Sequence, residues 1–239
     1  AQSILNPTST NSSSSITNQY SGLASLAGIG LPRETAGIDV AIAFIKSKKL
    51  VGQMMRNDSF LPDLMAIKKW NAKTRTVIYD ENIYDAKNQT WLTEPPSTEK
   101  AYREFSKAIS VSQNKLTKLV TISVQHNSPD IAQRWTLLII KEVNSMVANM
   151  KIREAQNSID FLNEQIKITP FAELRTMFYE LIQQNTQSMM LAKVNPEYAL
   201  TTIDPPLVPE FKSEPSRALI CIMGTILGGM ISVLIIAIR

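Results

Sequence analysis

Two residue types are nearly missing from this chain of 239 residues: it has one cysteine, Cys221, and one histidine, His126. Cys221 lies inside an apolar run near the C-terminus, so the rest of the chain can form no disulfide. Oxidising and reducing compartments are both compatible with that. A single histidine argues against a zinc site and against a His-based catalytic triad. No pair of acids has recognisable glycosidase spacing and no metal-ligating cluster is visible, so no catalytic, cofactor-binding or metal residue is assigned. The net charge of +4 (25 Lys+Arg against 21 Asp+Glu) is small and scattered. Without Lys/Arg clusters interleaved with aromatics, nucleic acid is excluded as a partner. Gly22, Gly28 and Gly30 in SGLASLAGIGLP form no GxGxxG, and no Gly-Lys-Ser/Thr follows them. A phosphate-cradling loop is therefore rejected in favour of a flexible segment with an apolar patch. Ala1 to Thr10 has neither a basic region nor a hydrophobic stretch, so no signal peptide is seen.

At 44% hydrophobic and 19% charged, the chain has the composition of a folded protein. Ala218 to Ile238 is an uncharged run of 21 residues bracketed by Arg217 and Arg239. As a helix it would be roughly 31 Å long, which matches a bilayer core, so a C-terminal transmembrane helix is expected. Gly224, Gly228 and Gly229 would give that helix a close-packing face. An anchor at this end without a targeting element upstream leads to the expectation that residues precede Ala1 in the full protein.

Hydrophobic periodicity places the remaining elements. Ser3 to Leu5 reads as a short strand ended by Pro7, and residues 8–21 as an exposed loop rich in small polar residues. Residues 36–56 look helical, with Val40, Ile42, Phe44, Ile45 and Leu50 set against Lys46, Lys48 and Lys49. Pro62 interrupts, and LPDLMAIKKW resumes a helical pattern. The following stretch holds Trp70, Tyr79, Tyr84 and Trp91, better read as local core than as a sugar-stacking platform. Residues 97–114 begin like a capped helix, and Lys115 to Gln125 alternates as a strand through Val120, Ile122 and Val124.

Ser128-Pro129-Asp130 supplies a capping hydroxyl, a proline for the first helical position and an acid for the first turn. Apolar residues then recur at mostly three- and four-residue steps until Pro170. A helix of about 40 residues, roughly 60 Å long, follows, and its stripe must be buried against other helices. Trp135, Leu138, Met146, Met150 and Leu162 are the candidate residues for packing this stalk in an oligomer. A second helix runs from Phe171 to about Lys193, and EYALTTID reads as a strand. Of the 12 prolines, Pro205, Pro206, Pro209 and Pro215 fall in DPPLVPEFKSEPSR, a stiff spacer that ends at Arg217. The organisation expected is a base over 1–127, stalk and return helix over 128–195, strand and proline-rich segment over 196–217, and the apolar helix over 218–238.

The ordered pieces carry a resemblance. They are the Ser/Gly-rich stretch through GLASLAG, AIKKWNAKTRTVIYDENIYD, LVTISVQHNSPDIAQRW, AELRTMFYELIQQNTQSMMLAKVNPEYAL and IDPPLVPEFKSEPSRALI leading into a glycine-bearing span. Together they resemble the Wzz chain-length determinants, the bacterial polysaccharide co-polymerases. The resemblance implies an α+β fold: a membrane-proximal base and a long helix projecting into the periplasm. It also implies two spans, of which the first would precede Ala1, in the inner membrane of a Gram-negative bacterium. A homo-oligomeric, octamer-like ring is implied, with an O-antigen polymerase, undecaprenyl-linked polysaccharide and the lipid bilayer as partners and no cofactor. The function expected is non-catalytic control of the modal length of a lipid-linked surface polysaccharide such as the O-antigen of lipopolysaccharide. The same periplasmic module occurs in capsule tyrosine autokinases, whose kinase domain would lie beyond Arg239; no Gly-x-x-x-x-Gly-Lys-Ser/Thr occurs here. A single-pass receptor or adhesin with a helical stalk is the third reading.

Overall fold

The computed structural model describes residues 1–8, 36–210, 221–223, 225–226 and 229. The chain divides into two units, 1–208 and 209–239. The first is α+β. Its sheet has four antiparallel strands in the order β6-β7-β1-β8: β1 (Gln2–Pro7), β6 (Ile109–Gln113), β7 (Val120–Val124) and β8 (Leu200–Asp204). The N-terminal strand thus lies inside the sheet, with Leu5 opposite both Val120 and Thr202. Between Ile4 and Leu5 the pairing with β8 slips, and the buried Ser3 hydroxyl donates to the Asp204 carbonyl at 2.7 Å beside that irregularity. Val120, Ile122 and Val124 are buried on one face of β7, as their alternation requires.

Helices cover the sheet. Residues 36–56 form two helices, α1 (Ala36–Ile45) and α2 (Lys48–Met54), where one was expected. Ser47 causes the break: its hydroxyl donates to the Phe44 carbonyl and accepts the Leu50 N–H at 3.2 Å, so it ends one helix and caps the next. LPDLMAIKKW also divides, into α3 (Phe60–Met65) and the strand β2 (Ile67–Asn71), which pairs with β3 (Thr76–Tyr79). The small β4 (Tyr84–Asp85) and β5 (Thr90–Trp91) pair beyond it. Helix α4 (Thr98–Ala108), capped by Ser97, ends three residues after Phe105 and runs straight into β6.

The long helix α5 (Pro129–Ile168) has 40 residues, and the Ser128 hydroxyl accepts the Ile131 N–H at its start. Three residues later α6 (Ala172–Val194) turns back along it, making an antiparallel helical hairpin. At 1.5 Å per residue the two helices are roughly 60 and 35 Å long, so α6 retraces only the outer part of α5. The inner part, from Ile131 to Ala148, buries ten residues besides Asn144 and packs against α1, α2, β1 and β7.

The expected transmembrane helix over 218–238 is overturned. Among the described residues no helix is long and apolar enough to cross a membrane. Within that run only Cys221, Ile222, Met223, Thr225, Ile226 and Gly229 are described, each at a helical position. Apolar composition alone makes a run compatible with a bilayer without making it a span.

The chain leaves the base along α5 and must re-enter it at β8, and Asn144 fixes the point of return. Its buried carboxamide oxygen accepts the N–H groups of Ala199 and Leu200 at 2.8 and 2.9 Å, and its Nδ2 donates to the Leu200 carbonyl at 3.0 Å. Replacing it by leucine keeps the volume and strands three buried backbone groups. Asn144→Leu is expected to cost about 2–5 kcal/mol. Urea unfolding of the variant and the parent measures this, and a loss below about 1 kcal/mol would show that the return strand is held by other contacts.

Candidate functional site

With no catalytic constellation assigned, the part of the molecule to weigh is the helical hairpin and its attachment to the base. The attachment is built around Trp135, two turns into α5. Its ring is 1% exposed and packs on Phe60 of α3 at 5.1 Å, Phe105 of α4 at 5.9 Å and His126 at 4.8 Å between centroids. Phe60 and Phe105 also meet edge to face at 5.6 Å. Four rings from four segments therefore clamp the start of the long helix. Such tilted and edge-on pairs add to the free energy of burial. The Trp135 indole N–H is buried with no hydrogen-bond partner among the described residues, so the tryptophan is held by packing alone.

A polar network sits beside the rings. Asp63 on α3 is 2% exposed, and its carboxylate pairs with Arg134 of α5 and accepts the Tyr79 hydroxyl at 2.7 Å. Burial, then the hydrogen bond to Asp63, pushes the Tyr79 hydroxyl far above the ordinary phenol range, so it remains a donor. His126 bridges from the Asp63 carbonyl, 3.0 Å from Nε2, to the Ser128 N–H, 3.0 Å from Nδ1. A carbonyl only accepts and an N–H only donates, so a neutral ring with its proton on Nε2 satisfies both 3.0 Å contacts. On the outer side, Arg75 in the β2–β3 turn reaches Asp130 in the first turn of α5. Arg75 has a φ of 52°, a left-handed turn position, and the Asn71 side chain holds that turn by accepting from Lys73 and Thr74.

The residues that the sequence marks for oligomer packing are placed as follows. Trp135, Met146 and Leu162 are buried by the chain's own side chains, while Leu138 and Met150 are half-buried, Leu138 against the core. Apolar recurrence thus finds the inward stripe of α5. The outward apolar residues are different ones: Phe161, Ile168, Phe171, Tyr179, Met190 and Val194 are each more than half exposed. Their signal in the sequence is missing charge, since α6 carries no ionisable side chain between Glu180 and Lys193. Tyr179, Gln183, Met190 and Val194 share one face of α6, with Met190 about three turns beyond Tyr179.

In the proline-rich segment Pro206 is buried and its carbonyl accepts from Gln133 of α5 at 2.9 Å, whereas Pro205 is exposed and Pro209 half-buried. The segment is therefore fastened to the root of α5 at its near end. Pro215, Arg217, Gly224 and Gly228 lie outside the described residues. Gly229 is exposed. Among the described residues no group of His, Cys, Asp and Glu is arranged to hold a metal ion.

The Asp63–Arg134 pair is asymmetric, the carboxylate side chain being 1% exposed and the guanidinium side chain 52%. Removing the arginine strands a buried negative charge; removing the carboxylate lets Arg134 turn to water. Arg134→Ala is therefore expected to cost about 3 kcal/mol, and Asp63→Asn added to it should recover part of the loss. Chemical denaturation of the two variants tests the order; a double variant no more stable than Arg134→Ala would refute the asymmetry. No protein-family model and no curated protein matches this chain, so its functional reading rests on its own residues.

Proposed function

We propose that the protein is a non-catalytic regulator of the modal chain length of a lipid-linked surface polysaccharide, the O-antigen of lipopolysaccharide being the leading case. In this reading several copies assemble at the periplasmic side of the bacterial inner membrane beside a separate polymerase. The polymerase performs the glycosidic chemistry on its undecaprenyl-linked substrate, and the assembly biases when the growing chain is released.

The observation that carries the reading is a rigidly rooted hairpin that is under-packed beyond its root. Of the 23 residues of α6 only Phe178 and Ala192 are buried, and beyond Ala148 α5 buries only Ala155 and Leu162. A two-helix rod with so little core needs neighbours to bury its stripe. The charge-free stretch of α6 between Glu180 and Lys193 is suited to that, because Met190 and Leu191 stand exposed there with Gln183 and Gln187 instead of lysines and glutamates. The order of pieces in the Wzz resemblance supports the same reading. A scaffold of this kind needs length, stiffness and a self-associating face, which the hairpin supplies.

The direct test is a gel of surface lipopolysaccharide from cells deleted for the gene, with and without the gene restored. The expected outcome is that deletion turns a clustered ladder into an unregulated spread of lengths and that restoration brings the cluster back. An unchanged ladder refutes O-antigen control and turns the search to capsule. Loss of all glycan would place the protein in polymerisation or export itself. A second expectation concerns assembly: Tyr179→Glu with Met190→Glu, both at exposed positions, should leave the chain folded, lower its oligomer mass in light scattering and broaden the ladder together. A smaller oligomer with an unaltered ladder would separate assembly from length control.

A further inference from the structure

His126 occupies a position where one proton would reverse the sense of a structural contact. Its Nδ1 lies 3.0 Å from the Ser128 nitrogen and 3.3 Å from the Ser128 carbonyl oxygen. Neutral, the ring accepts the Ser128 N–H. Protonated, Nδ1 carries a hydrogen that opposes that N–H and can be satisfied only by the carbonyl. That carbonyl already accepts the Ala132 N–H at 3.1 Å, and the Ser128 hydroxyl accepts the Ile131 N–H. Ser128 therefore holds the first turn of a 40-residue helix while His126 holds Ser128.

We infer that His126 is an acid-sensitive latch at the root of the hairpin: neutral, it ties α3 to the capping residue of α5, and protonation on Nδ1 unfastens the first turn of α5 from the base.

The groups around the ring act in both directions: burial, then Arg134, favours the neutral form, while the backbone hydrogen bonds to Asp63 and Ser128 and the Asp63 carboxylate favour the charged one, and burial prevails. Trp135 of α5 covers one side at 4.8 Å and gives the ring an apolar neighbour. Arg134, also of α5, opposes a second positive charge. The Asp63 carboxylate of α3 favours one, but it is engaged by Arg134 and by Tyr79 of β3. Burial is the largest effect and lowers the His126 pKa below the ordinary histidine value. The sign of the pH dependence follows. As pH falls below about 6.5 the unfolded chain binds the proton before the folded one. The stability contributed by neutral His126 is full above that pH and is lost progressively as pH falls through the folded-state pKa.

His126 is the only histidine in the chain, so its ring protons give one unambiguous pair of signals in a proton NMR titration. The full chain is titrated from pH 8 to 5, and hydrogen exchange of the 126–135 peptide is followed in parallel after correction for intrinsic rates. The expected result is a titration below the ordinary histidine range with protection of the first turn of α5 falling about tenfold or more alongside it. His126→Gln, which keeps one donor and one acceptor without a titratable group, should hold its protection constant over that range. An ordinary or raised pKa, unchanged protection through the titration, or the same pH response in His126→Gln would each overturn the latch. Should the glutamine variant not fold, the titration and exchange of the parent chain decide by themselves. None of these readouts depends on a polysaccharide, so the latch and the proposed function stand or fall separately.

Discussion

The side chain of Asn144 stands in for a strand. The chain leaves the sheet after β7, travels out along α5, returns along α6 and has to pair β8 with β1 in the correct register. Where it re-enters, three backbone groups are buried without a neighbouring strand to satisfy them, and the carboxamide of Asn144 satisfies all three. A slip of β8 by one residue would send Leu200, which is fully buried, to the wrong face. A single polar residue within an apolar stripe thus sets the length of the excursion. The hairpin can be long because its two ends are tied to one point.

The other end of the same helical segment is tied differently. Around Ser128 the base holds α5 by rings, by the Asp63–Arg134 pair, by Arg75 on Asp130 and by His126 on the capping residue. Ser128 and Asn144 are 16 residues apart, about 24 Å along the helix axis. Two fastenings at that separation fix a direction as well as a position, which a single contact would not do. Pro206, drawn to Gln133 between them, joins the chain following β8 to the same segment. The sheet, the hairpin and the start of the proline-rich run all meet on this stretch of α5.

What was legible in the sequence follows from which forces are local. The start of α5 was readable because Ser128, Pro129 and Asp130 act within one turn, and its length because nothing breaks the apolar recurrence before Pro170. Strand β7 showed its period of two. The division of 36–56 was not readable, because Ser47 among lysines looks like a helix surface until its hydroxyl is seen bridging Phe44 and Leu50. Residues 67–71 read as helix because IKKW carries no alternation; pairing with β3 makes them a strand. His126, Asp63 and Asn144 left no signal, since their roles depend on partners 55 to 71 residues away. The run over 218–238 reads as a span because apolar length is the signal a sequence offers there, and among the described residues no helix is long and apolar enough to cross a membrane.

Apolar recurrence marks the inward face of the stalk. A helix packed on its own base and its own return helix spends its strongest hydrophobic stripe internally, which is where Trp135, Met146 and Leu162 lie. What such a helix offers outward is governed by the opposite pressure. A face in permanent contact with water gains solubility from charge, and a face covered by a neighbour loses free energy for each charge it must desolvate. The stretch between Glu180 and Lys193 carries no charge although a third of it is exposed in the single chain. The distal hairpin buries Ala155, Leu162 and Phe178, too small a core for two helices to stand alone. Under the proposed function both shortages are met by the same thing, a second surface of similar character laid along α6. A copy of the same hairpin has that character by construction, which is the physical reason for reading the rod as one stave of a larger bundle.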